Sequence, residues 1–273
     1  MGDLAALAMA SGTMEISMAD LAVVTGAGGS IGLAVCRRLL ANGYRVAGFD
    51  ISAPTLEGSR AALASDDFLP LVVDVTSGAQ VDDGVQTAAA RFGPVAVLIN
   101  NAGAVDAISL GKIDEAGWMR DIDRNLNAAW RCLNAVRPLM QTAKRGAIVN
   151  ISSVNGLGVY GYPAYSAAKA GLIHLTKFAA VELGPFGIRT NAICPGSVRT
   201  KAWAEHVKAD PTVFERVKAW YPLGDICEPE DVADLVSFVV SPRARMLNGA
   251  IIPLDGGISA GSLRFAREFL GAE

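Results

Sequence analysis

The chain has 273 residues, 51% of them hydrophobic and 19% charged, with a formal net charge of −3. That length suits one large α/β domain with a sizeable core, and the composition excludes a disordered chain. There is no basic block to make a phosphate footprint, so nucleic acid is excluded as a partner, and no run of 18 apolar residues provides a membrane span.

Residues 1–19 lack the basic flank and long apolar core of a secretory leader, and Ala6 stands where a myristoylation signal needs Ser or Thr. They read as a flexible extension, with Met1, Met14 and Met18 all acceptable starts. The four cysteines, Cys36, Cys132, Cys194 and Cys227, are scattered without metal-ligand or disulfide spacing, as expected of reduced thiols in a cytoplasmic protein. The only histidines are His174 and His206, which leaves little material for a metal centre, and none is expected.

From residue 21 onward, short apolar runs alternate with segments of helical period. "LAVVT" (21–25) is a strand, and Ile31, Val35 and Leu39 mark one face of the helix after it. Strands follow at 45–49, 68–73 and 95–100, with helices near 53–65 and 79–92. One long helical stretch covers roughly 114–143; a strand at 146–152, a helix at 163–184 and a strand at 188–194 come next. A polar insert fills 199–221, and a helix near 228–240 and the strand "GAIIPLD" (249–255) complete the pattern. Near-continuous apolar strands, each followed by a helix, predict a single-domain, doubly wound (Rossmann-type) parallel sheet of seven strands with helices on both faces, spanning 20–258. Residues 259–273 read as a tail that packs on the domain or on a neighbouring subunit.

"TGAGGSIG" (25–32) lies between the first strand and its helix. Gly26, Gly28 and Gly32 let the backbone approach a pyrophosphate, and the helix start offers it free N–H groups. Asp50 ends the second strand, where a carboxylate can accept hydrogen bonds from ribose hydroxyls. Further on, "YSAAK" places Tyr165 and Lys169 at i and i+4, on one helical face. A free phenol has a pKa of about 10, and an ammonium about 4 Å away at an effective dielectric near 20 is worth about 4 kcal/mol, enough to bring it near neutrality. Such a pair exchanges a proton with a carbonyl or an alcohol.

Together these segments resemble the short-chain dehydrogenase/reductase family. The glycine loop is similar to that family's TGxxxGxG pattern, with Ser30 in place of the middle glycine. "NNAG" (100–103), "NISS" (150–153), "YSAAK" (165–169), "NAICPGSVRT" (191–200) and "LDGG" (254–257) match further family segments, so the resemblance runs from about residue 19 to 258. It implies an NAD-dependent oxidoreductase acting on a secondary alcohol or ketone. Ser153 would hold the substrate oxygen, Tyr165 would be the acid/base, Lys169 would lower its pKa and bind the nicotinamide ribose, and Asn125 would hold a water of the proton relay. Gly26, Gly28, Ser30, Ile31, Gly32, Asp50, Asp74, Val75, Asn101, Ala102, Gly103, Pro195, Gly196, Val198 and Thr200 would line the cofactor. Ser153 stands twelve residues before Tyr165 where thirteen is common in the family, and Ser152 would restore that spacing; the "SVNG" context favours Ser153.

The substrate is less defined. The 199–221 insert resembles the family's mobile lid, and Asn155, Tyr160, Tyr162 and Trp203 are the expected pocket residues. A cyclic or aromatic alcohol, a sugar or polyol, and a 3-oxoacyl thioester all remain open. A dinucleotide-binding regulator without chemistry is the alternative of a different class, and it would have no need of the Asn-Ser-Tyr-Lys set. The family also implies a homotetramer.

Overall fold

The computed structural model describes residues 20–271. The N-terminal extension at 1–19 therefore lies outside the described residues. Seven parallel strands form one sheet: β1 (Leu21–Thr25), β2 (Arg45–Asp50), β3 (Phe68–Val72), β4 (Val95–Asn100), β5 (Gly146–Ile151), β6 (Ile188–Pro195) and β7 (Ile251–Leu254). Their order is β3-β2-β1-β4-β5-β6-β7. The chain winds outward from β1 one way and from β4 the other, so their C-terminal ends form the switch point where such sheets bind ligands.

The apolar strands are buried because helices cover both faces. One core joins β1 and β4 to α1 (Ser30–Ala41), α2 (Ala53–Leu63) and α9 (Pro229–Val240), through residues such as Val35, Leu39, Leu56 and Val236. The other joins the opposite face to α3 (Gly78–Phe92), α5 (Ala128–Ala143) and α6 (Pro163–Leu183), through Val85, Val136, Met140 and Leu183. Each such aliphatic side chain contributes about 1.5–3 kcal/mol of burial. Ser52 and Ser77 begin α2 and α3 by accepting hydrogen bonds from Thr55 N and Gln80 N.

One expectation needs correcting. The helical stretch expected over 114–143 is not continuous: α4 (Glu115–Ile122) passes through a single π-helical turn at Asp123–Asn127 before α5 begins. The extra residue in that turn rotates the following side chains, as π-turns at functional sites do. Asn125 lies inside it, almost fully buried. The insert after β6 forms two short helices, α7 (Ala204–Ala209) and α8 (Val213–Lys218). The tail ends in α10 (Arg264–Phe269), with Leu263, Phe269 and Leu270 exposed. Among the described residues, no helix is long and apolar enough to cross a membrane, and no group of three or more His, Cys, Asp or Glu could hold a metal ion.

Candidate active site

The glycine turn is built for close approach. Gly26 has φ +68°, and Gly29 N donates back to Gly26 O at 3.1 Å. At Gly32 an added Cβ would lie 2.0 Å from Gly26 O, so no side chain fits where α1 leaves the turn. β4 closes the other side: Thr25 Oγ1 accepts from Asn101 N and Ala102 N, both at 3.0 Å, and Asn101 Nδ2 donates to Thr25 O at 2.9 Å. Asn101 and Ala102 are thereby held against Gly26.

Asp50 lies at the edge of this cradle. Its Oδ2 accepts from Gly28 N at 2.9 Å and its Oδ1 from Ser52 N at 3.0 Å. Each carboxylate oxygen keeps a lone pair for a further donor. Asp74 is occupied within its own turn, where Oδ1 accepts from Thr76 N at 2.9 Å and from Thr76 Oγ1 at 2.7 Å, while Val75 packs against the second core. Ile31 packs against the first core, and Ser30 departs from a simple turn role: its hydroxyl accepts from Lys201 N at 3.1 Å, joining the glycine turn to the insert after β6.

The expected acid/base residues converge across the switch point. Ser153, just past β5, lies near the Tyr165 phenol at the start of α6 and acts on its ionisation. Lys169 Nζ is 5.4 Å from the Tyr165 ring centre and donates to Ile151 O at 2.8 Å. Gly103 lies between Asn125 and Lys169: a Cβ there would be 2.6 Å from Asn125 Oδ1 and 3.6 Å from Lys169 Nζ. Asn125 Nδ2 donates to Ala104 O at 2.7 Å and Asp121 O at 2.9 Å, and its Oδ1 is buried without a donor. Ser152 points elsewhere; its buried hydroxyl donates to Lys169 O at 3.0 Å. With Ser152 so engaged, Ser153, the serine at the less common spacing, is the one that bears on the Tyr165 phenol.

The electrostatics are less one-sided than the sequence reading assumed. Burial raises the Tyr165 phenol, and the nearby Ser153 hydroxyl pulls it back down. Burial also weakens the Lys169 ammonium, lowering it to about 8. Because both groups share one desolvated pocket, the lysine cannot act on the phenol as a fully solvated cation would.

The expected substrate residues divide. Asn155 is consumed in supporting the loop, donating to Gly161 O at 2.9 Å and Ser166 Oγ at 3.2 Å while its Oδ1 accepts from Ser153 Oγ at 3.3 Å. Tyr162 stands edge-on to Tyr165 with ring centres 6.4 Å apart, and the Tyr160 hydroxyl donates to Ile258 O at 3.3 Å. Trp203 packs inside the insert against His206 and Phe214, each ring at 5.5 Å. Pro195 ends β6, Gly196 abuts the Tyr221 ring, Val198 pairs with Cys227, and Thr200 O accepts from Trp203 N.

Sequence reasoning missed a buried polar ladder beneath the site. Asn100 donates to Asn150 and Asn150 to Thr176, each at 2.9 Å. The only signal was asparagine inside two apolar strands. It also missed Cys194, whose buried thiol lies against Ser152, Ser153 and Lys169, and Asp121, a carboxylate without exposure.

Comparison with known proteins identifies the family. Residues 26–259 match the family model described as enoyl-(acyl carrier protein) reductase. An uncharacterized oxidoreductase of Schizosaccharomyces pombe is 40% identical, covering 88% of this chain and 91% of its own length. A cis-4-hydroxycyclohexanecarboxylate dehydrogenase of Sinomonas cyclohexanicum is 38% identical, covering 88% and 96%. A solved oxidoreductase of the short-chain family from Burkholderia thailandensis superposes with TM-score 0.88 at 40% identity, covering 96% of this chain and 99% of that one. An actinorhodin polyketide ketoreductase solved with NADPH gives TM-score 0.85 at 31% identity, covering 91% and 100%. By sequence, fold and site, the chain belongs to the short-chain dehydrogenase/reductase family of oxidoreductases, whose members bind a nicotinamide dinucleotide.

Proposed function

We propose that this protein is an NAD-dependent dehydrogenase that interconverts a secondary alcohol and its ketone by a Ser-Tyr-Lys mechanism. The observation that carries the reading is the convergence of Ser153, Tyr165 and Lys169, with the buried Lys169 Nζ 5.4 Å from the Tyr165 ring centre. The glycine cradle fits a dinucleotide, because Asn101, Thr55 and Gly26 O crowd Gly26, Gly28 and Gly32 so closely that no side chain fits there, leaving bare backbone beside a helix start. When bound, the cofactor supplies the hydride acceptor at its nicotinamide ring. In alcohol oxidation, Ser153 and Tyr165 hold the substrate oxygen, and Tyr165 takes its proton. Lys169 stabilises the phenolate that accepts this proton, and Asn125 positions the onward proton path. In ketone reduction Tyr165 returns the proton to the oxygen.

Asp50 supports NAD over NADP. No Lys or Arg lies in the 25–32 turn, and the residue after Asp50 is the exposed Ile51, so a ribose phosphate would face a carboxylate without a compensating cation. The aromatic cluster of the insert and the Tyr162 ring suit a cyclic substrate, in line with the cis-4-hydroxycyclohexanecarboxylate for which the Sinomonas relative is named. Production of NADH from NAD with a panel of cyclohexanols, sugars and 3-hydroxyacyl thioesters tests the activity and ranks these classes. Silence across the panel with intact NADH binding would favour a regulator that kept the fold alone.

The homotetramer belongs to the same proposal. Met119, Trp130, Phe178 and Val181 stand exposed on α4, α5 and α6, and the tail adds Leu263 and Phe269. Light scattering at micromolar concentration tests it, and a monomer there would reject it.

A further inference from the structure

Among the described residues, three charged side chains are buried: Lys169, Asp255 and Asp121. Lys169 has Ile151 O, and the Asp255 carboxylate accepts from Gly257 N and Ser259 N. Asp121 is the poorly served one. Its Oδ2 accepts one long hydrogen bond, 3.4 Å from Asp106 N, and its Oδ1 has none. The two nearby guanidinium groups are already bound to Asp106, Arg120 at 2.9 Å and Arg124 at 3.0 Å. A bare carboxylate with no exposed surface and no cation of its own is costly, and a proton on it removes that cost.

The location gives that proton a use. Asp121 is one turn before Asn125, on the same helical face. Asn125 Oδ1 is likewise a buried acceptor without a donor. The two residues touch, since Asn125 Nδ2 donates to the Asp121 backbone O at 2.9 Å. Beyond Asn125, across Gly103, stands Lys169, and then Tyr165.

We propose that Asp121 is the outer proton-holding residue of the Tyr165–Lys169–Asn125 cluster, carrying a proton near neutral pH and exchanging it with that cluster past Asn125. It acts through its neighbours and touches no substrate, so it is a positioning residue. The proposal rests on the Ser-Tyr-Lys reading above. In ketone reduction Tyr165 gives its proton to the substrate oxygen, and the Asp121 O–H bond breaks as its proton replaces the one the cluster has lost; alcohol oxidation runs the same transfer in reverse, and no electrons move. The groups facing Asp121 agree in direction. Burial raises its carboxyl and the Asp106 carboxylate adds to this, against the Asp106 N–H, Arg124 and Arg120; from α6, Tyr165 is itself made harder to ionise by Asp121.

Asp121→Asn separates this role from simple anchoring. It keeps an acceptor for Asp106 N–H, but it cannot titrate. Between the ordinary carboxylate value of about 3.9 and a raised folded value, the folded wild type binds the extra proton, so its stability relative to the variant falls as pH rises through that window. Thermal melts from pH 4.5 to 8 should show the variant gaining at least about 3 °C on the wild type. Infrared spectra at pH 7 should show a protonated carboxyl band in the wild type that the variant lacks. Calorimetric titration of NAD in two buffers of different ionisation enthalpy counts released protons. The count should fall in Asp121→Asn, while Tyr165→Phe keeps the Asp121 share. A melting difference that is constant with pH, no carboxyl band, or an unchanged proton count would each overturn the proposal. Absence of NAD binding would reject the dinucleotide reading instead, and with it the relay, whatever the melts show. Asp121→Thr repeats the comparison if Asp121→Asn does not fold.

Discussion

The two sides of the switch point are made differently. On the β1–β3 side, recognition is built from backbone: Gly26 and Gly32 shape the turn, and Gly28 N and Ser52 N fix the Asp50 carboxylate. On the β4–β6 side it is built from buried titratable side chains, with Tyr165 raised and Lys169 lowered by burial. A backbone site tolerates no added atoms but is insensitive to pH. A side-chain site accepts conservative changes in shape but responds to every change in charge. The two halves should therefore fail separately, one through binding and the other through chemistry.

The largest effect is expected from Gly32→Ala. The added methyl meets Gly26 O at 2.0 Å, a backbone atom that cannot move aside cheaply. Overpacking of this kind costs about 1–3 kcal/mol, and the turn is reshaped where the pyrophosphate would sit. NADH binding, followed by its fluorescence, should be lost while the fold remains. Binding within twofold of wild type would break the backbone half of the comparison.

Next come the two serines. Ser153→Ala removes a donor to the substrate oxygen and should lower turnover by roughly 10²- to 10³-fold. Ser152→Ala removes a bond to Lys169 O and should cost about 0.5–1.5 kcal/mol of stability with a far smaller effect on rate. Kinetics and melts on both variants decide; the reverse ranking would return the role to Ser152.

A smaller effect is expected at Asp50. A charged hydrogen bond to a ribose hydroxyl is worth about 1.5–3 kcal/mol, so NAD should be preferred over NADP by about tenfold or more. Asp50→Ala should erase most of that ratio in kcat/KM. Equal use of both cofactors by the wild type would show that Asp50 serves only the turn.

The mildest is the pH response. Oxidation needs Tyr165 unprotonated and reduction needs it protonated, and burial raises its phenol. The oxidation rate should therefore climb with pH above neutrality while the reduction rate falls. Lys169, lowered to about 8, blunts the oxidation gain above that value as its charge is lost. Initial rates in both directions from pH 6 to 10 test this, and parallel profiles would contradict it.

The backbone half was the more legible in sequence, because glycine spacing and a strand-end acid carry their geometry with them. All seven strands and their parallel order follow from apolar runs alternating with helical periods. Tyr165 and Lys169 were legible for the same reason, as an i,i+4 pair on a helix. The π-turn at Asn125 was not, since nothing local distinguishes it from continuous helix. Nor was the burial that sets the phenol and the ammonium, which depends on β5, α4 and the 101–104 segment arriving together. Nothing in "RDIDR" singles out Asp121, and only packing shows it sealed inside. Asn155 and Trp203 look like pocket residues by position, yet their partners lie within their own loops.

The claim that binding and chemistry sit on separate halves is tested most directly by Tyr165→Phe, measured for NADH affinity and for turnover on the best alcohol of the panel. The ring is kept and only the hydroxyl is lost. The account predicts NADH affinity within about threefold of wild type and turnover lower by roughly 10²- to 10⁴-fold. A variant that retains more than a tenth of wild-type turnover would contradict it.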